Sequence, residues 1–177
     1  MTKSAPSGHW IAADFHDRSL SAWLMHGTQA KRQAGLPASS DDLAETLASQ
    51  IQQWDAAGAD VLLSGAPGAG LQPVPAAAAT APSAGVGALR NVLCLPGLQQ
   101  AAPAGTLRSA PIRIAGFLAQ NPNWDGVLCL PGETTHWVLV SADEIVSFSN
   151  FTTVALARSA AAAAGLDGSG NSAGTGP

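Results

Sequence analysis

Charge is what this sequence has least of. Only 11% of its 177 residues are Asp, Glu, Lys or Arg, and the eight Lys and Arg are scattered, so no basic face exists to displace counterions from a phosphate backbone. Nucleic acid is thereby excluded as a partner class. No apolar run approaches the ~20 residues that a bilayer-spanning helix needs. The polar opening Met1 to Gly8 lacks the apolar centre of a secretory signal, and a cytoplasmic, membrane-free protein is expected. Tyrosine is absent and cysteine occurs twice, at Cys94 and Cys129, each inside an apolar strand-like run. Reduced, buried thiols are therefore expected rather than a disulfide or a ligand pair.

The length suits one domain with a real core, not two lobes of ordinary size. Residues 1–8 read as a flexible leader, 9–156 as the folded body, and 157–177 as the end of an Ala-rich helix running into a Gly/Ser tail.

His9 to Gly27 organises the body. The apolar runs Trp10 to Ala13 and Leu20 to Met25 flank a polar apex, Asp14 to Ser19, a pattern that predicts an antiparallel hairpin with Asp14 at its tip. Thr28 to Gln33 adds a third strand, which Gly35-Leu36-Pro37 ends. A helix begins near Ser39 to Asp42, carries Leu43, Leu47, Ile51 and Trp54 on one face, and closes at Gly58. Asp60 to Ser64 predicts a buried strand leading into the flexible loop Gly65 to Gly70.

Residues 72–88 are almost all Ala, Pro, Gly and Ser, and a mobile loop is expected there. Two near-copies follow, Val92 to Gly97 and Val127 to Gly132, each a strand broken by Pro-Gly. Pro111 to Gln120 predicts a helix with proline in its first turn. His136 to Val140 and Glu144 to Phe148 predict a strand pair, and Phe151 to Ala164 a helix. Trp10, Trp23, Trp54 and Trp124 are read as packing residues, and Trp137 as core or pocket wall.

The order of these motifs resembles the 2-dehydro-3-deoxygalactonokinases, a family of the actin-like ATPase fold, from about Trp10 to about Leu156. WIAADFHDRSLSAWLMHG is similar to the family's opening hairpin, VLLSGAPGAG to its glycine-bearing second motif, and NVLCLPGL and LCLPGETTHWV to its two Pro-Gly strand ends. The resemblance implies an α/β fold, a single ribonuclease-H-like lobe with a mixed sheet, an N-terminal antiparallel hairpin and flanking helices. It also implies ATP, Mg and a sugar-acid substrate of galactonate breakdown. Asp14, His16, Asp17, Arg18, Gly65 and Gly68 would then face the nucleotide phosphates, with Asp14 toward the metal. Arg108, Gly132, Thr134, His136 and Trp137 would line the substrate cleft.

The chain departs from that pattern at several places. His16 stands where the family has the glycine that lets a phosphate approach the backbone. Asp17 would bring a second negative charge toward the phosphates, at about 1 to 4 kcal/mol per contact pair. Arg108-Ser109-Ala110-Pro111 replaces an Arg-Gly-Glu-Glu segment, Glu133 to His136 lacks the family's lysine, and Thr153-Val154-Ala155 loses a further carboxylate. The expectation is a first lobe that folds but does not transfer phosphate alone, serving in interaction or regulation with a kinase homologue or a second copy of itself. The alternative is an active kinase completed by another chain. Asp14, His16, Glu133 and His136 also form a set of metal-capable side chains, which raises a transition metal as a candidate ligand.

Overall fold

The computed structural model describes residues 8–79, 83–86 and 89–165. Most of the expected leader and the whole 166–177 tail lie outside the described residues, as do 80–82 and 87–88 of the Ala/Pro/Gly stretch.

Three strands open the fold as an antiparallel meander, β1 (His9–His16), β2 (Ser19–His26) and β3 (Gln29–Pro37). The β1–β2 turn is two residues long, with Asp17 at φ 48° and Arg18 at φ 60°, the left-handed pair whose twist matches the flanking strands. The tip is therefore Asp17-Arg18. Asp14 lies within β1, paired with Ser21, and not at the tip as expected. β3 also outruns its expected end: Pro37 pairs with Ser19 and Leu36 with Leu20, because a sheet edge tolerates a residue without an amide donor.

Helix α1 (Leu43–Gln53) starts where Ser39 and Asp42 hydrogen-bond each other's backbone amides, at 2.5 Å to Asp42 Oδ1 and 3.4 Å to Ser39 Oγ. Leu43 and Leu47 are fully buried and Trp54 nearly so, and each leucine contributes about 1.5–3 kcal/mol by leaving water. The helix stops at Trp54, short of Gly58, because Asp55 already turns left-handed at φ 53°.

β4 (Asp60–Ser64) runs parallel to β1. Short strands then cross the Ala/Pro/Gly stretch: β5 (Leu71–Pro73), β6 (Ala76–Ala77) and β7 (Ser83–Val86). Small residues there sit in ladders with other strands, where a loop was expected, since pairing supplies what their side chains cannot. β8 (Leu89–Cys94), β9 (Gly97–Gln100) and β10 (Gly105–Leu107) lead to α2 (Pro111–Gln120), whose bounds match expectation. β11 (Gly126–Leu130), β12 (Thr135–Ser141), β13 (Glu144–Phe151) and α3 (Thr153–Ala163) are the last of the described elements.

Among the described residues the result is a mixed α/β fold with three sheets. A six-stranded sheet runs β3-β2-β1-β4-β8-β7, a four-stranded sheet β11-β12-β13-β6, and a small one β10-β9-β5. The centre of the large sheet is covered on both faces. Ile11, Ala13, Val61 and Leu63 pack with α1 on one side, while Ala12 and Leu95 meet Ile112 of α2 on the other. Helix α2 reaches the second core through Ile114, which joins Leu98, Leu107, Val138, Val140, Ile145 and Phe148. One helix thus touches both large sheets, and whatever lies between Ile112 and Ile114 is held firmly.

The two near-copies serve different sheets. β8 is internal and its Cys94 is buried, as expected, with burial pushing the thiol pKa up. β11 is an edge strand with one face outward, so Cys129 is exposed, contrary to expectation. Helix α3 buries no residue. It is tied to the β11–β12 loop by an Arg158–Glu133 ion pair and by the Ala155 amide donating to the Glu133 carbonyl at 3.4 Å. Among the described residues no helix is long and apolar enough to cross a membrane.

Candidate functional site

The carboxyl ends of the parallel strands β1, β4 and β8 meet at one edge of the large sheet, the usual place for a ligand in such folds. Asp14 and Ser64 pair in register there. Asp14 is fully buried. Its Oδ1 accepts hydrogen bonds from Ser64 Oγ at 2.5 Å and from the Ala110 amide at 2.9 Å. Its Oδ2 stands 2.8 Å from Arg113 Nε, a charge contact off the N–H axis that gives neither atom a directed hydrogen bond. His16 Nε2 lies 4.0 Å from the same oxygen, and His16 Nδ1 is buried without a hydrogen-bond partner.

Ala110, just before α2, takes φ 82° and is fully buried. A left-handed alanine costs about 1–2 kcal/mol. The hydrogen bond from its amide to a charged acceptor, about 1.5–3 kcal/mol, offsets that cost. The same conformation sets the positive end of α2 against Asp14.

The opposite wall is the β11–β12 loop. Asp17 Oδ2 accepts from the Glu133 amide at 3.1 Å, so the hairpin tip is bound to that loop instead of projecting a free charge into the cleft. A side chain at Gly132 would press on Asp17 Oδ2 at 3.4 Å and on the Thr134 carbonyl at 3.2 Å. His136 Nδ1 is 2.8 Å from Asn150 Oδ1. Burial first, and then Arg113, depress the His136 pKa below its ordinary value against the opposing pull of Asn150, Asp17 and Asp14.

A histidine held neutral in the folded state lets the unfolded chain take up protons first as the pH falls. The His136 contribution is therefore intact above the usual histidine pKa and is lost as the pH drops through that value toward the lower folded one. Melting temperatures of the wild type and His136→Gln, compared at pH 7.5 and 5.5, are expected to show a smaller acid loss in the variant. An unchanged difference would contradict this.

Gly65 ends β4 at φ 79°, and a Cβ there would fall 1.9 Å from the Phe15 carbonyl oxygen. The Phe15 backbone therefore leaves no room for a side chain at this position. Gly68 shares the conformation, φ 78°, but faces open space. Arg108 is exposed and reaches the Ala69 carbonyl at 3.5 Å. Arg18 is exposed, and its carbonyl accepts from the Ala38 amide at 3.0 Å. Trp137 is 48% exposed and, alternating with His136, lies on the outer face of β12. It is neither core nor pocket wall, because strand parity sends neighbouring side chains to opposite faces.

The cleft thus gathers Asp14, His16, Asp17, Gly65, Gly132 and His136, and leaves Arg18, Gly68 and Trp137 outside it. Sequence reasoning missed Ser64, Ala110 and Arg113. The signal for Arg113 was present: it is the one charged residue in the helix PIRIAGFLAQ, between two buried isoleucines.

These residues do not fit a metal–nucleotide pair. Asp14 Oδ1 holds two hydrogen bonds and Oδ2 is charge-paired with Arg113, Glu133 is paired with Arg158, and His136 with Asn150. Among the described residues no three His, Cys, Asp or Glu side chains converge as a metal site, so the four metal-capable residues do not form one set.

Comparison with curated proteins gives no match. Among solved structures the chain is similar to a protein of Sinorhizobium meliloti assigned as a 2-dehydro-3-deoxygalactonokinase, with a TM-score of 0.72 and 22% identity. That similarity covers 86% of this chain and 56% of the other, so the chain spans little more than half the length of the neighbour. A family model described as 2-keto-3-deoxy-galactonokinase matches residues 17–158, a span that begins at the hairpin tip and leaves Asp14 outside it. With most of its length so matched, the chain belongs to the 2-keto-3-deoxy-galactonokinase family.

Proposed function

We propose that this chain is a ribonuclease-H-like, actin-like kinase lobe whose cleft carboxylate has passed from cation binding to structural use, and that it does not transfer phosphate from ATP by itself. The antiparallel meander β3-β2-β1 followed by the parallel strands β4 and β8 supports the fold reading. The observation that carries the functional reading is the Arg113–Asp14 contact at 2.8 Å on a fully buried carboxylate. A protein contributes little to phosphoryl transfer beyond positioning and charge stabilisation, and an acid neutralised from within supplies neither to a metal–nucleotide complex. The remaining role is interaction or regulation beside a sugar-acid kinase in the cytoplasm.

A second reading, an active sugar-acid kinase completed by another chain, is favoured by the neighbour's length, of which this chain covers 56%. One assay separates the two. ATP consumption coupled to phosphorylation of 2-dehydro-3-deoxygalactonate is expected to be at background for the purified chain, alone or mixed with a catalytically inactive full-length kinase of the family. Turnover by the lone chain would overturn the proposal. New turnover on mixing it with an inactive kinase partner would establish the second reading.

A further inference from the structure

The end of the large sheet away from Asp14 carries a second concavity, a groove of about 580 Å³ between the strands and the turn that follows α1. Its size is that of a small-molecule site, about 300–1,000 Å³. Leu24 and Trp54, both buried in the first core, close its base, and Ala56 and Ala59 line the side that belongs to the turn. The floor is therefore apolar.

The strand wall is cationic, and the cause is an irregularity in register. β2 and β3 pair Leu24 with Arg32 and then Met25 with Ala30, so Lys31 is an extra residue at that step. In a regular strand neighbouring side chains go to opposite faces, and one of the two cations would point away from the groove. The bulge breaks that alternation, and both Lys31 and Arg32 line it. Gln29 Oε1 accepts from Lys31 Nζ at 2.9 Å, a contact that orders the ammonium. His9 of β1 also lines the groove, its ring 5.1 Å from that of its cross-strand partner His26. Among the described residues no carboxylate is ion-paired with Lys31 or Arg32.

We propose that this groove binds a small organic anion with an apolar body, its carboxylate or phosphate against Lys31 and Arg32 and its body over Leu24 and Trp54. Asp55 and the carbonyl end of α1 stand on the far wall and repel a negative group, which sets the direction in which the ligand lies. A chain of net charge -4 that turns two consecutive cations into one apolar-floored recess has the charge complementarity such a ligand needs, and bulges commonly re-aim side chains beside binding sites. The groove is separate from the Asp14 cleft, and this inference does not rest on the kinase reading.

The test is NMR titration of the nitrogen-labelled full chain with naphthoate and, separately, with naphthyl phosphate, using naphthalenemethanol as the uncharged control. Saturable shifts are expected at the Trp54 indole N–H and at the amides of residues 56–59 with either anion, and the tighter of the two identifies the head group. Arg32→Glu and Lys31→Glu are each expected to weaken binding about fivefold or more, and the alcohol to bind about tenfold more weakly than the anions. Both cations are exposed on an edge strand, so the variants are expected to fold, which their melting temperatures establish. Trp137→Glu, on the outer face of the other large sheet, is expected to bind as the wild type does, which separates the groove from adsorption on exposed apolar surface. No saturable shift with either anion, equal affinity for the alcohol, or unchanged affinity in the two charge variants would overturn the proposal.

Discussion

Asp14→Ala is expected to destabilise the fold by about 3–5 kcal/mol, the range for removing one partner of a buried ion pair. In a chain of this size that is a fall in melting temperature on the order of 10 °C. Two donors, Ser64 Oγ and the Ala110 amide, lose their acceptor, and the Arg113 guanidinium loses its counter-charge. Ala110 then keeps a left-handed φ of 82° with nothing to offset it, and the entry to α2 loosens. Asp14→Asn keeps an acceptor for Ser64 and Ala110 while removing the charge, so its loss is expected to be intermediate. A carboxylate kept for an incoming cation would respond the other way, since removing an unpaired buried charge relieves the folded state. Neutral or raised stability in Asp14→Ala, measured by urea unfolding, would contradict the structural role assigned to it.

The second large effect is expected at Gly65. An alanine methyl would need space 1.9 Å from the Phe15 carbonyl oxygen, a backbone atom that no rotamer change can move. Either the β4 loop or the end of β1 must shift by about an ångström, and the shift would carry Ser64 and Asp14 out of register. Gly65→Ala is expected to cost at least about 3 kcal/mol, the tail reserved for strain at a special backbone position. Gly68→Ala is the control: its φ of 78° is nearly the same but its surroundings are open, so the conformational term alone applies, about 1–2 kcal/mol. Equal losses at the two positions would mean that the close approach to Phe15 does not matter.

The sequence made some of this legible and hid the rest for identifiable reasons. The β4 strand ending in Ser64 and the helix Pro111–Gln120 could be read to the residue, because punctuation by Gly and Pro and a simple apolar pattern agree there. The meeting of Asp14, Gly65 and Gly132 was implied by resemblance. The depth of Asp14 was not legible. A polar run from Asp14 to Ser19 looks like one long apex, and only the two-residue turn at Asp17-Arg18 draws Asp14 back into the strand and into the core. Trp137 misled in a similar way, since the neighbouring His136 and Val138 point inward and a large aromatic beside them invites the same assignment. In the Ala/Pro/Gly stretch the pairing partners are remote in sequence, with Ala76 against Ile145 and Leu71 against Gly97, and local composition carries no trace of them.

The central claim is that Arg113 already balances the charge of the acid at the end of β1 and that the α2 entry already holds it. Isothermal titration of the folded chain with Mg-ATP, read beside its melting temperature in rising nucleotide, addresses that directly. No saturable heat and no rise in melting temperature are expected into the millimolar range. A saturable isotherm with a melting temperature that climbs with the logarithm of nucleotide concentration would contradict it, because only a ligand held by the native state stabilises in that way.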